Sequence, residues 1–400
     1  MSHLSRFYGF ASIAALVVGP HLRQEKMVAV DRVPWMPETK CLEMFSAMTE
    51  GPDGRIYAGT CNASKMGACL IAFDPKTRQQ EKLADMHEVC GEANGNTLPQ
   101  SKIHSQIRFD SKGVAWFGTH CYDWITLEQF EKSPQDYTGG HLVTYDTRSK
   151  RATDLGILIP HESIMSLALA EKAGKVYCVM HPTGRLVVYD IRTRTVSDKG
   201  RILGYPCRIT IALKDGRGYT FTKNGEVVRY TPWSDKVEIL QVHVPLFPGE
   251  TNPEDNTPFD LAVSDDQKQI YGVGWSSGVL FEYRPDDGRD GSMRSLGVAF
   301  GDQVVPGIRK SLNIAIKQGK DHRIYYAGYD NRGLLACYDP AKKTRMYLGQ
   351  MAFHGTPISQ GGDSAGTAGA MCVARDGTIY VADFNQKQTW FNWFHPKAFK

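Results

Sequence analysis

Asn331-Arg332-Gly333-Leu334-Leu335-Ala336-Cys337-Tyr338-Asp339-Pro340 reads as a Gly-bearing turn, an apolar strand, and an aromatic residue that passes the chain to an Asp-Pro turn. The closing phrase, an aromatic followed by Asp or another polar residue and often Pro, returns as Phe73-Asp74-Pro75, Tyr145-Asp146, Tyr189-Asp190, Tyr230-Thr231-Pro232, Tyr283-Arg284-Pro285 and Phe394-His395-Pro396. Seven copies at intervals of about fifty residues are an internal repeat. Two alternating apolar runs joined by a turn precede each copy, as in residues 47–59 around Pro52-Asp53-Gly54 and 371–383 around Asp376-Gly377. A second tight turn, such as His181-Pro182-Thr183-Gly184, Lys223-Asn224-Gly225 or Ser276-Ser277-Gly278, leads into the strand that ends on the aromatic. Four strands per unit at this period predict an all-β fold, a seven-bladed β-propeller.

The last repeat stops at Lys400 after its third strand, so the seventh blade must take its fourth strand from elsewhere. Residues 13–18 or 27–33 can supply it, closing the ring and removing the open edges that invite aggregation. The expected organisation is an N-terminal segment over 1–40, holding a closing strand, an export signal or both, and a single propeller over 41–400.

The 47 Lys and Arg against 43 Asp and Glu leave a net charge of +4 with no basic run, which disfavours a nucleic-acid partner and leaves a small anionic one open. Residues 7–18, behind Arg6, have the size of an export-signal core, but no small-x-small cleavage site precedes Pro20. Secretion and cytoplasmic residence therefore both stay open, with the sequon Asn62-Ala63-Ser64 favouring export. The same run is too short to span a membrane, and no later stretch is a candidate. Nine cysteines, at 41, 61, 69, 90, 121, 178, 207, 337 and 372, form no CxxC pair, which argues against a cysteine-only metal site.

The innermost strand of each blade lines the central channel, so equivalent positions can be compared between blades of one chain. Counting along the first strands aligns Phe45, His104, Met165, Arg208, Asp260, Asn313 and Met371; at the ends of the second strands it aligns Cys61, His120, His181, Asn224, Ser276, Tyr329 and Asp383. Burying His, Arg, Asp and Asn near one axis costs several kcal/mol unless they pair or face water, so this is either a satisfied network or a solvated pocket. His104, His120, His181 and Arg208 are expected to converge on one sector. Two chemistries fit them. Three imidazoles can hold a divalent metal (zinc, manganese, iron or calcium) with an open position, giving a lyase or isomerase of a non-carbohydrate small molecule. Alternatively, a neutral His abstracts a proton beside a carboxylate that Arg208 or a protonated His neutralises, and a Tyr or His protonates the leaving oxygen, which is β-elimination from a uronic acid, an anionic sugar that Lys102 and Lys223 nearby would also suit. A noncatalytic propeller that binds a glycan or a partner is the third reading.

The segment Lys102-Ile103-His104-Ser105 through Phe117-Gly118-Thr119-His120, followed by Gly139-Gly140-His141-Leu142 and Tyr145-Asp146, resembles the seven-bladed propeller enzymes of carbohydrate breakdown. These are the ulvan lyases of polysaccharide lyase families 24 and 25, the rhamnose-glucuronate lyases, and the rhamnosidases of glycoside hydrolase family 145. The resemblance implies that His104 and His120 are the lyases' proton-transfer pair and that the substrate is an anionic oligosaccharide. It also implies a Tyr and an Arg on the next blade, where this sequence has Met165 and His181; Tyr122, Tyr205 or His181 would then replace the Tyr. Blade seven, with Asp376-Gly377-Thr378-Ile379-Tyr380-Val381-Ala382-Asp383, is similar in style to the streptogramin-lyase and lactonase propellers, in a phrase generic to propellers.

Around the histidines, Tyr122, Trp124, Trp275 and Tyr329 sit where aromatics stack on sugars or cap a channel mouth, and Asp260 and Asn313 are candidate substrate contacts. The insertion 124–137, with Glu128, Glu131 and Lys132 on a short expected helix, reads as a lid. Loops 245–257 and 353–367 are read as the rest of the rim, with His354 as a further candidate ligand.

Overall fold

The computed structural model describes residues 26–399 apart from 63–66, 92–98, 122–124, 306, 311, 330–331, 361–366 and 385–388. Seven antiparallel sheets follow one another around an axis. Their third strands are Cys69–Phe73, His141–Asp146, Arg185–Asp190, Glu226–Thr231, Val279–Arg284, Leu334–Asp339 and Thr389–Phe394, so every copy of the repeated phrase falls at or just past the end of one of them. The Asp residues of the phrase make the turn: Asp74, Asp146, Asp190 and Asp339 each accept a hydrogen bond from a backbone N–H two or three residues on. The preceding turns end on glycines at positive φ, among them Gly184 at 67° and Gly333 at 65°, where a side chain would be strained.

Ring closure uses the second of the two expected segments and divides it. Asp31–Pro34 pairs antiparallel with the third strand of blade seven, Asp31 opposite Trp393 and Val33 opposite Phe391. Met27–Ala29 instead joins blade six, parallel to its outer strand Thr344–Phe353. One short segment therefore ties the last two blades together; residues 13–18 lie outside the described residues. At the seam, Asp383 is fully buried and accepts from Arg32 (3.2 Å) and from Asn392, while the Arg32 guanidinium lies 4.1 Å from the Trp390 ring centroid. Phe73 of blade one packs edge-on against Phe391 at 4.6 Å, continuing the closure into the apolar core between blades.

That core is cut by the blade-to-blade seams, with Tyr57, Phe73, Phe117, Tyr177, Phe221 and Phe281 among its largest buried side chains. No helix among the described residues is long and apolar enough to cross a membrane. The expected short helix in the blade-two insertion is present as Leu127–Lys132, with a capping box between Thr126 and Gln129. The sequon's Asn62 is buried and donates to the Gly67 carbonyl at 2.7 Å.

Candidate functional site

On the face where second strands end, short stretches of blades one and two pair side by side. Glu43 lies opposite Cys61, Cys61 opposite Lys102, and Lys102 opposite His120. This ribbon fixes where His120 sits. Beneath it, Gly140 passes so close that a Cβ there would stand 2.0 Å from the Thr119 carbonyl oxygen. At Gly118, a Cβ would meet Ile164 at 2.3 Å, so the bare backbone brings blade two against blade three and His120 toward His181.

The three histidines form a line. Ring centroids are 6.2 Å apart for His104 and His120, and 4.7 Å for His120 and His181, with Tyr205 5.8 Å beyond. His104 stacks on Phe45 at 5.2 Å, and its Nδ1 meets the Met165 carbonyl at 3.3 Å; His120 Nδ1 meets the Cys121 carbonyl at 3.1 Å. A carbonyl can only accept, so both imidazoles carry their proton on Nδ1 and turn a lone pair out at Nε2. Among the described residues, His120 Nε2 has no hydrogen-bond partner, although His120 is only 1% exposed. Burial, and then the Lys102 ammonium, push His104 down to about 3. Burial, then His181, Lys102 and His104, hold His120 well below the usual 6.5, and burial with His104 and Lys102 pushes His181 down to about 3. All three are neutral at physiological pH.

Arg208 does not join this line as a vacant cation. It makes a two-pronged ion pair with Asp255, at 2.5 and 3.1 Å, and its guanidinium lies 4.7 Å from the Trp275 ring centroid. Trp275 belongs to a closed circuit of aromatics across the channel: Phe45, Phe259, Trp275, Tyr329 and Phe384, with neighbouring centroids 5.2–6.3 Å apart. Phe259 also reaches His104, at 6.2 Å. The mouth is therefore an aromatic collar, partly exposed at Phe45, Trp275 and Tyr329, with the histidines on one flank. Burial first, and Glu43 next, push the Tyr329 phenol up to about 12, so it stays protonated.

The fold is shared with solved propellers. A streptogramin B lyase superposes with a TM-score of 0.59 at 11% identity, covering 91% of this chain and 96% of its own. A catalytically inactive virginiamycin B lyase from Staphylococcus aureus with quinupristin gives 0.62 at 9% identity, covering 91% and 99%. The extracellular domain of a hybrid two component system from B. thetaiotaomicron gives 0.58 at 16% identity, covering 92% of this chain and 41% of that one. The likeness is one of fold. No family model matches the chain, and no curated protein matches it in sequence.

Two of the residues expected at the site are engaged by partners within the fold. Asp260 accepts from the Ile316 N–H at 3.1 Å and pairs with Lys317. Asn313 donates to the Ala327 carbonyl at 2.7 Å and ties its own hairpin. His354 is exposed and packs on Phe353. Tyr122 and Trp124 lie outside the described residues. The ring-centroid spacing of 6.2 Å sets His104 apart from the closer His120–His181 pair at 4.7 Å. Counting along the sequence missed Phe259, Phe384 and Asp255. Phe259 lies one residue from Asp260, within reach of a one-residue shift of that alignment, whereas Asp255 lies inside the loop read as rim.

Proposed function

We propose that this chain is an eliminating lyase that cleaves a uronic-acid-bearing glycan by β-elimination at the aromatic mouth beside His120. The observation that carries the reading is the meeting, at His120, of a neutral imidazole whose Nδ1–H is spent on a carbonyl and an ammonium, Lys102, near enough to depress it. A cation on the substrate carboxylate acidifies the neighbouring C–H. His120 Nε2 then takes that proton, the electron pair forms the ring double bond, and the bond from the adjacent carbon to the glycosidic oxygen breaks. His120, now an imidazolium, passes that proton from Nε2 to the departing oxygen on the neighbouring carbon and returns to its neutral form. Arg208, occupied by Asp255, positions Trp275 and does not take the carboxylate.

Trp275 and Tyr329 offer faces on which a sugar ring stacks. The blade-two insertion lies over the far end of the line: the Ile125 carbonyl accepts from the Tyr205 hydroxyl at 3.4 Å and bears on His181. Substrate reaches His120 by displacing this insertion, in keeping with a lid.

The test is a near-ultraviolet absorbance time course on a panel of uronate glycans, comparing wild type with His120→Phe, with melting curves for both. A conjugated double bond appearing with wild type alone supports the reading. No rise on any glycan with folded protein, or an equal rise with the variant, overturns it. The collar also suits a propeller that holds a glycan without turnover; equal binding to both proteins with no product would establish that instead.

A further inference from the structure

We propose that Cys90, His141 and Asp154 form a site for a zinc-like divalent transition metal at the seam of blades one and two, independent of the histidine line. One donor atom from each of the three residues lies within 4.8 Å of the others. The chain builds this meeting from three elements. The outer strand of blade one, Gln80–Asp85, runs into a single helical turn, Met86–Val89, capped by Asp85 accepting from the His87 N–H. Cys90 closes that turn, donating its backbone N–H to the Met86 carbonyl at 3.0 Å. His141 opens the third strand of blade two, and a register shift between His141 and Val143 swings it toward the outer strand, where Asp154 sits. His141 Nδ1 and Asp154 Oδ1 are 2.9 Å apart, and the same oxygen accepts from the Gly156 N–H at 2.8 Å.

The donor set is one sulfur, one nitrogen and one oxygen, which suits zinc, with a fourth position left for water. Charge closes as well: a thiolate and a carboxylate balance a divalent cation. Binding replaces the thiol proton with the metal–sulfur bond and releases that proton to solvent, so affinity falls in acid. None of the nine cysteines forms a disulfide, and eight are buried; Cys90 alone is half-buried, where an ion can reach it. The site is also mechanically joined to the ribbon. Thr119 donates its N–H to the His141 carbonyl at 2.9 Å, the Thr119 hydroxyl accepts from the His141 N–H at 2.8 Å, and Thr119 precedes His120. A bound metal therefore braces the strand that carries His120.

The experiment titrates chelator-stripped full chain with cobalt(II). The expected result is a thiolate-to-cobalt charge-transfer band that saturates at one equivalent, is displaced by zinc, is lost in Cys90→Ser, persists in His120→Phe, and is accompanied by a rise in Tm. Should Cys90→Ser fail to fold, Asp154→Asn decides: it weakens cobalt binding by more than about tenfold, a cost already typical of removing groups that merely support a ligand. No band at one equivalent, a band unchanged in Cys90→Ser, or undiminished affinity in Asp154→Asn overturns the proposal. So does alkylation of Cys90 that added zinc does not slow.

Discussion

Asp383 and His120 lie near the end of a second strand, the first just before it in blade seven and the second just past it in blade two, and both are buried almost completely. Asp383 is surrounded by donors, with Arg32 and Asn392 on its oxygens. His120 spends one nitrogen on the Cys121 carbonyl and leaves the other with no partner among the described residues. A buried polar group that is satisfied serves the fold; one left open costs stability that a substrate or proton transfer can use. The end of a second strand thus closes the molecule in one blade and offers chemistry in another.

The largest expected effect is on turnover. His120→Phe, which exchanges an under-satisfied imidazole for an apolar ring of similar size, should lower kcat by roughly 10²–10⁴-fold while costing less than about 1.5 kcal/mol of stability. Steady-state kinetics beside a denaturant melt checks both. The mirror image is Asp383→Ala, which strands Arg32 and should cost about 3–5 kcal/mol with kcat of the folded fraction unchanged. If the two variants behaved alike, the contrast between the positions would fail.

How far the sequence reaches is visible in the same two residues. The repeat phrase carries the blade count because each copy marks the end of a third strand, where the turn demands Asp, Pro or both. The histidine line was legible because His104, His120 and His181 recur at matching places in neighbouring hairpins. The collar and the fate of Asp260, Asn313 and Arg208 were not. Register shifts interrupt the first hairpins of blades three, six and seven, between Ile164 and Ser166, Asn313 and Ala315, and Ala368 and Ala370. Each bulge inserts a residue and re-aims those that follow, so counting slips by one in those blades. Arg208 and Asp260 precede first strands that pair without a shift, and what counting does not supply there is the partner, Asp255 or Lys317, brought from elsewhere in the chain. Asp255 reaches Arg208 from a loop 47 residues on, a cross-blade contact that no local spacing encodes.

Acidification should separate the two regions next. The folded-state values of the three histidines lie below their unfolded value near 6.5, so the unfolded chain binds more protons in acid. Stability should be flat above about pH 7 and fall below about 6.5 toward 3, at up to about 1.4 kcal/mol per pH unit for each histidine. His104→Phe should remove one histidine's share of that slope, as read from melting temperature against pH. The smallest effect is expected at the collar. Trp275→Ala should raise KM for a stacking glycan by about two- to tenfold with kcat little changed.

The central claim is that the fold keeps His120 neutral with its proton on Nδ1 and its Nε2 lone pair open. Long-range proton–nitrogen NMR correlation of ¹⁵N-histidine-labelled protein, with His120→Phe to assign the signal, reads that tautomer directly. The expected spectrum shows a pyrrole-type Nδ1 and a pyridine-type Nε2 for His120, unchanged from neutral pH to well below 6.5. A proton on Nε2, or titration near 6.5, would contradict it.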